Sequence, residues 1–118
     1  MEFIIYHNPR CSKSRQTLSL LEARGIQAKI ELYLENPLNE GDIKILLEKL
    51  GIPARDLIRR GEQEFKKSGL DLSSSEDLLI QVMAKNPKVM ERPIVVTGDR
   101  AVIGRPPENI LDLLENED

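Results

Sequence analysis

The chain has 118 residues, enough for one domain with its own core, and its formal net charge of −3 argues against a broad electrostatic nucleic-acid surface. Hydrophobic residues make up 40% and aromatics only 3%, so the expected core is aliphatic. One cysteine and one histidine exclude an internal disulfide and a Cys/His metal centre. No apolar run reaches membrane-spanning length and no basic-then-apolar signal segment opens the chain, so the cytoplasm is the expected address.

Residues Glu2–Tyr6 read as a short buried strand. From Ser12 the pattern turns helical, carrying Leu18, Leu20, Leu21 and Ala23 up to a stop at Gly25. Alternation over Ala28–Tyr33 predicts a second strand and hence a β-α-β unit. Asn39 then has the character of an N-cap for a helix bearing Ile43, Leu46, Leu47 and Leu50, ended by Gly51. Pro53 predicts a further short helix with Leu57 and Ile58, stopped near Gly61. Ser73 and Glu76 have capping-box spacing ahead of Leu79, Val82 and Met83, and Asn86-Pro87 closes that helix.

Residues 38–87 are thus expected as a helical block inserted between strands. Arg92–Val96 and Ala101–Ile103 flank Thr97-Gly98-Asp99 and predict a β-hairpin. Gly104-Arg105-Pro106-Pro107 breaks the chain before a last helix, Glu108–Glu115, expected to bury Ile110, Leu111 and Leu114. The acidic end, 115–118, is expected to fray. This order predicts a single α/β domain of thioredoxin-like fold with a mixed central sheet and the helical insertion at about 38–87. Such folds set a cis-proline opposite the active cysteine at the start of the third strand. Pro93 is the candidate, with its isomer left open by the sequence.

Cys11 falls between the first strand and the first helix, where unpaired backbone N–H groups and the helix dipole favour an anion. Two readings compete: a small buried hydrophobe, or a thiolate favoured by the helix start, Lys13, Arg15 and His7. The helix-start context favours the second. Ser14 stands three residues on, where a dithiol site would carry its second cysteine, so disulfide chemistry here needs outside thiols. Ser14 reads equally as a first-turn helix serine with a local hydrogen bond. His7 is either a packed strand-end side chain or a tuner of the thiol. A phosphatase-type loop would need arginine where Thr17 stands, which excludes that reading.

The run Tyr6-His7-Asn8-Pro9, Cys11, Ser14-Arg15 resembles the active-site signature of glutaredoxin-coupled arsenate reductases. Arg92-Pro93-Ile94-Val95-Val96 and Gly104-Arg105-Pro106 resemble two further motifs of that family in the same order. Arg59, within Asp56–Arg60, falls where the family keeps its first arginine, and the resemblance runs from about Phe3 to Leu114. It implies that Arg59, Arg92 and Arg105 cage an arsenate oxyanion around Cys11, since guanidinium forks bind two oxygens at once. Arg60 would replace Arg59 in a different helix register. Arg15 would support the loop or pair with an acid, and Arg10 occupies a variable position.

The implied chemistry begins with Cys11 thiolate attack on arsenate, expelling water. Glutathione then attacks the adduct and supplies electrons, glutaredoxin takes the glutathione as a mixed disulfide, and hydrolysis releases arsenite. No bound cofactor is implied; glutathione is a co-substrate. Ser12-Lys13, in place of Gly-Thr, and the early end after the last helix resemble shorter, chromosomally encoded relatives. Two other classes share parts of this pattern. Spx-type transcription regulators have the fold, a redox cysteine and an Arg-Pro-Ile strand, and dock on RNA polymerase, for which 53–67 would be the surface. They typically lack the His-Asn-Pro and Gly-Arg-Pro present here. A glutathione-dependent thiol oxidoreductase would use Cys11 alike, with the arginines holding glutathione carboxylates.

Overall fold

The computed structural model describes residues 2–115. Phe3–Tyr6 forms β1, whose alternating burial puts Phe3 and Ile5 into the core. Ser12–Ala23 forms α1, and the chain leaves it through Gly25 at φ 74°, a left-handed conformation that glycine adopts without a Cβ penalty. Lys29–Glu31 forms β2, shorter than the six residues of alternation in the sequence and largely exposed, as suits a sheet edge.

Ile94–Thr97 forms β3, buried throughout, and Arg100–Ile103 forms β4. The sheet order is β2-β1-β3-β4, with β1 parallel to β2 and antiparallel to β3, and β3 antiparallel to β4. This is the mixed sheet of a thioredoxin-like fold. Its uninterrupted Ile94-Val95-Val96 run belongs to an inner strand, which needs apolar residues on both faces.

The contacts divide the chain into two compact units: residues up to Tyr33 with those from Arg92 onward, and Leu34–Glu91. The second unit therefore extends a few residues beyond each end of the helical block read at 38–87. In the first unit, Phe3, Ile5, Leu21, Val95, Ile110 and Leu113 make one apolar cluster, flanked by partly buried Leu18, Leu20 and Val102. The last segment differs from the continuous helix expected. Pro107–Ile110 is a 3-10 turn, followed by a short helix over Leu111–Glu115. After this tighter turn Leu113 joins Ile110 in the buried cluster, while Leu111 and Leu114, both expected to be buried, are half-buried. The acidic residues 116–118 lie outside the described residues.

In the second unit α2 spans Glu40–Leu50, capped by the Asn39 side chain accepting from the Asp42 N–H at 2.7 Å and ended by Gly51 at φ 69°. The segment after Pro53 makes only a 3-10 turn, Ala54–Leu57; Ile58 is already extended and bridges Met90. A short α3, Gln63–Lys67, follows. The helix carrying Leu79, Val82 and Met83, α4, spans Glu76–Lys85.

The cap of α4 is Ser75, not Ser73. The Asp71 carboxylate, a stronger acceptor than a neutral group, takes the Ser73 N–H at 2.8 Å. Glu76 meanwhile accepts the Ala54 N–H at 3.0 Å, so the reciprocal capping box does not form. No helix among the described residues is long and apolar enough to cross a membrane.

Candidate active site

The loop from β1 to α1 is built around its own polar groups. The Cys11 N–H donates to the Asn8 carbonyl at 3.0 Å, and the Arg10 N–H donates to Asn8 Oδ1 at 3.0 Å. Arg15 Nη1 donates to the Pro9 carbonyl at 2.9 Å, so Arg15 supports the loop, one of its two expected roles. Cys11 occupies the N-cap position of α1 with extended backbone (φ −95°, ψ 123°) and is half-buried. Its side chain makes no capping hydrogen bond. The sulfur nonetheless lies where an N-cap acceptor lies, facing the open N–H groups of the first turn.

Two arginines reach that sulfur from the hairpin. Arg105 Nη1 stands 3.7 Å from Cys11 Sγ and also donates to the Arg92 carbonyl at 3.3 Å. The Arg92 guanidinium also favours the thiolate. Burial alone raises the thiol pKa, but the Ser14 N–H, the Arg92 guanidinium and the Lys13 N–H together outweigh it and hold Cys11 below the ordinary cysteine value. The Arg92–Pro93 peptide bond is cis, and so is Arg105–Pro106.

Ser14 is fully buried, and its hydroxyl lies 2.7 Å from His7 Nδ1 while accepting the Asn8 N–H at 3.0 Å. Burial, then the Arg15 charge, lowers the His7 pKa. Both effects favour the neutral imidazole. The imidazole and the Ser14 hydroxyl share one hydrogen bond, whose donor is set by the tautomer of the ring. His7, Asn8 and Ser14 form a buried lock under the cysteine loop.

Arg59 belongs to the second unit. Its Nε lies 3.7 Å from the Glu62 carboxylate and 3.8 Å from that of Glu91, and its N–H donates to the Val89 carbonyl. Arg59 is half-buried whereas Arg60 is exposed. Arg10 is exposed too.

Three residues outside the sequence-predicted site also shape it, although Gly104 lies in the Gly104-Arg105-Pro106 motif. Thr17 is fully buried on α1, its hydroxyl donating to the Lys13 carbonyl at 2.8 Å and lying 3.3 Å from the Gly104 carbonyl. Gly104 sits against it so closely that a Cβ there would meet Thr17 Oγ1 at 2.6 Å. Asn109 Nδ2 donates to the carbonyls of Ile103 and Arg105 at 3.1 and 3.2 Å. For Thr17 the available hint was its place on the buried stripe of α1, in line with Ser14 and Leu21. Among the described residues no cluster of His, Cys, Asp or Glu could hold a metal ion.

A thioredoxin-like sheet that delivers two guanidinium groups onto a helix-start cysteine defines a class of thiol proteins distinct from the dithiol type, since Ser14 replaces the second sulfur. The ArsC family model matches residues 6–113, and the chain belongs to the ArsC family. It is 52% identical over 112 residues to the uncharacterized protein YfgD of Escherichia coli (strain K12), covering 93% of this chain and 94% of that protein. It is 46% identical over 116 residues to an arsenate reductase of Haemophilus influenzae, covering 97% and 100%. The solved arsenate reductase of Vibrio cholerae superposes with a TM-score of 0.91 at 45% identity, covering 95% of this chain and 97% of that one.

Proposed function

We propose that the protein is a cytoplasmic arsenate reductase that draws its electrons from glutathione and glutaredoxin. The observation that carries this reading is Arg105 Nη1 standing 3.7 Å from the Cys11 sulfur, with the Arg92 guanidinium also favouring the thiolate. Two fixed cations beside a nucleophile suit a tetrahedral oxyanion, whose charge they neutralise as it approaches a thiolate of the same sign. Relatives of nearly full coverage that bear the name arsenate reductase support the choice of anion. Arg92 and Arg105 are the ligands this reading relies on; Arg59 enters it by resemblance of motif alone.

In the proposed cycle the Cys11 thiolate attacks arsenic, an As–S bond forms, and one arsenate oxygen leaves as water. Glutathione sulfur displaces a second oxygen, again as water. A glutaredoxin thiolate then attacks the glutathione sulfur, making a disulfide. The electron pair of the broken As–S bond stays on arsenic, taking As(V) to As(III). Water cleaves the remaining Cys11–arsenic bond, releasing arsenite and the thiolate. Ser14, whose hydroxyl is held by His7 and Asn8, offers no competing sulfur, which fits electrons arriving from outside.

The test is NADPH consumption with arsenate, glutathione, glutaredoxin and glutathione reductase, each omitted in turn. Turnover that needs arsenate, glutaredoxin and Cys11 is expected. Background rates alongside a working arsenate reductase control would remove arsenate as the substrate.

A further inference from the structure

Arg105 works from a loop, and a long flexible side chain is only as well aimed as the backbone that carries it. That backbone is pinned from three directions. The Gly104 N–H donates to the Pro93 carbonyl at 2.9 Å, and the Thr17 hydroxyl lies 3.3 Å from the Gly104 carbonyl. The third hold is a side chain. Asn109 sends its amide nitrogen to the Ile103 carbonyl at 3.1 Å and the Arg105 carbonyl at 3.2 Å, bridging the two residues that flank Gly104. Asn109 is itself fixed, because its own N–H donates to the Pro106 carbonyl at 3.0 Å. One carboxamide thus closes the loop from β4 into the following 3-10 turn.

We propose that Asn109 is a positioning residue: by bridging the carbonyls of Ile103 and Arg105 it fixes the backbone from which the Arg105 guanidinium reaches the Cys11 sulfur. The inference rests on the reading of Arg105 as an anion ligand but does not depend on which anion is bound. A carboxamide suits the task because its two N–H groups point at two acceptors at once, and it carries no charge that would oppose the arginine. Without it the two half-buried carbonyls turn to water, the loop loses its closure, and the guanidinium samples positions away from the sulfur.

The experiment is a pH titration of the Cys11 thiolate by its ultraviolet absorbance, without arsenate, with circular dichroism to follow the fold. Arg105→Ala is expected to raise the thiol midpoint, by less than Arg92→Ala does, since it removes a cation whose Nη1 stands 3.7 Å from the sulfur. Asn109→Leu, of similar volume but without donors, is expected to raise it by roughly half as much. It should add nothing further once Arg105 is alanine, because the two act through one contact. An unchanged midpoint in Asn109→Leu overturns the proposal. So does a shift that persists in the double variant, or no shift in Arg105→Ala. Should Asn109→Leu fail to fold, Asn109→Ala carries the same comparisons. Loss of the fold in both would make Asn109 a structural residue and overturn the proposal. Absent arsenate turnover with the titration as expected would fell the reductase reading while leaving this one standing.

Discussion

Gly104→Ala tests how closely the arginine loop must approach α1. The added methyl carbon would stand 2.6 Å from Thr17 Oγ1 and 3.0 Å from both Thr17 Cγ2 and Pro93 Cγ, where ordinary contacts begin at 3.4 Å. None of these neighbours yields easily. Thr17 is fully buried, and turning its side chain breaks the bond from its hydroxyl to Lys13 O. Gly104 cannot retreat without giving up its own bond to Pro93 O. Overpacking of this kind costs about 1–3 kcal/mol, and with three contacts compressed the upper half of that range applies. At roughly 4 °C per kcal/mol for a chain of this size, Tm falls by roughly 10 °C.

Thr17→Ala alone costs about 1–2 kcal/mol through its lost methyl and hydroxyl, yet it clears the space the new carbon needs. The double variant is therefore expected to be less destabilised than the sum by at least about 1 kcal/mol. Urea unfolding of the four proteins at constant m measures this. Additive costs, or a Gly104→Ala protein as stable as wild type, would refute the close-approach argument.

Cys11→Ser is expected to bring arsenate-dependent NADPH consumption to background while leaving the urea curve in place, since it exchanges the nucleophile at nearly constant volume. Arg92→Ala is expected to lower kcat/KM for arsenate about 10–100-fold, the worth of a charge-assisted contact, whereas Arg10→Ala, an exposed change, stays near wild type; equal losses would undo the two-arginine site. The His7 pKa is lowered in the folded protein by burial and by Arg15, so between the ordinary value of 6.5 and the folded value the unfolded chain binds the extra proton. Stability is then full above about pH 6.5 and declines as pH falls through that window. Urea midpoints at descending pH should show a slope that His7→Phe reduces, and an unchanged slope in that variant would place the titration elsewhere.

The elements around the site were legible because they rest on local chemistry. Ile94-Val95-Val96, the Gly98-Asp99 turn and Ala101-Val102-Ile103 specify a hairpin whatever surrounds them, and Asn39 and Gly51 bracket α2 by themselves. The position of Cys11 at a helix start followed in the same way. What stayed hidden depends on competition or distance. Three serines, Ser73 to Ser75, stand before α4; Asp71 engages the first two, and Ser75 takes the cap. A 3-10 entry precedes the last helix, and Leu113 joins the core while Leu111 stays half-buried. Thr17 and Gly104 meet across most of the chain, so neither residue announces the contact. The charge state of His7 is set by burial, which a residue type does not reveal.

Arg92 and Arg105 sit just outside the open ends of one hairpin, and the ladder Ile94↔Ile103 to Thr97↔Arg100 carries them like the jaws of a calliper. The gap between the jaws is thus set at the opposite end, by the length of the Gly98-Asp99 turn. Substitutions in that turn leave the setting alone, but an inserted residue slides one arm past the other and swings alternate side chains to the wrong face. The spacing of the two arginines is therefore tolerant of changed letters and intolerant of changed length at a place remote from the sulfur.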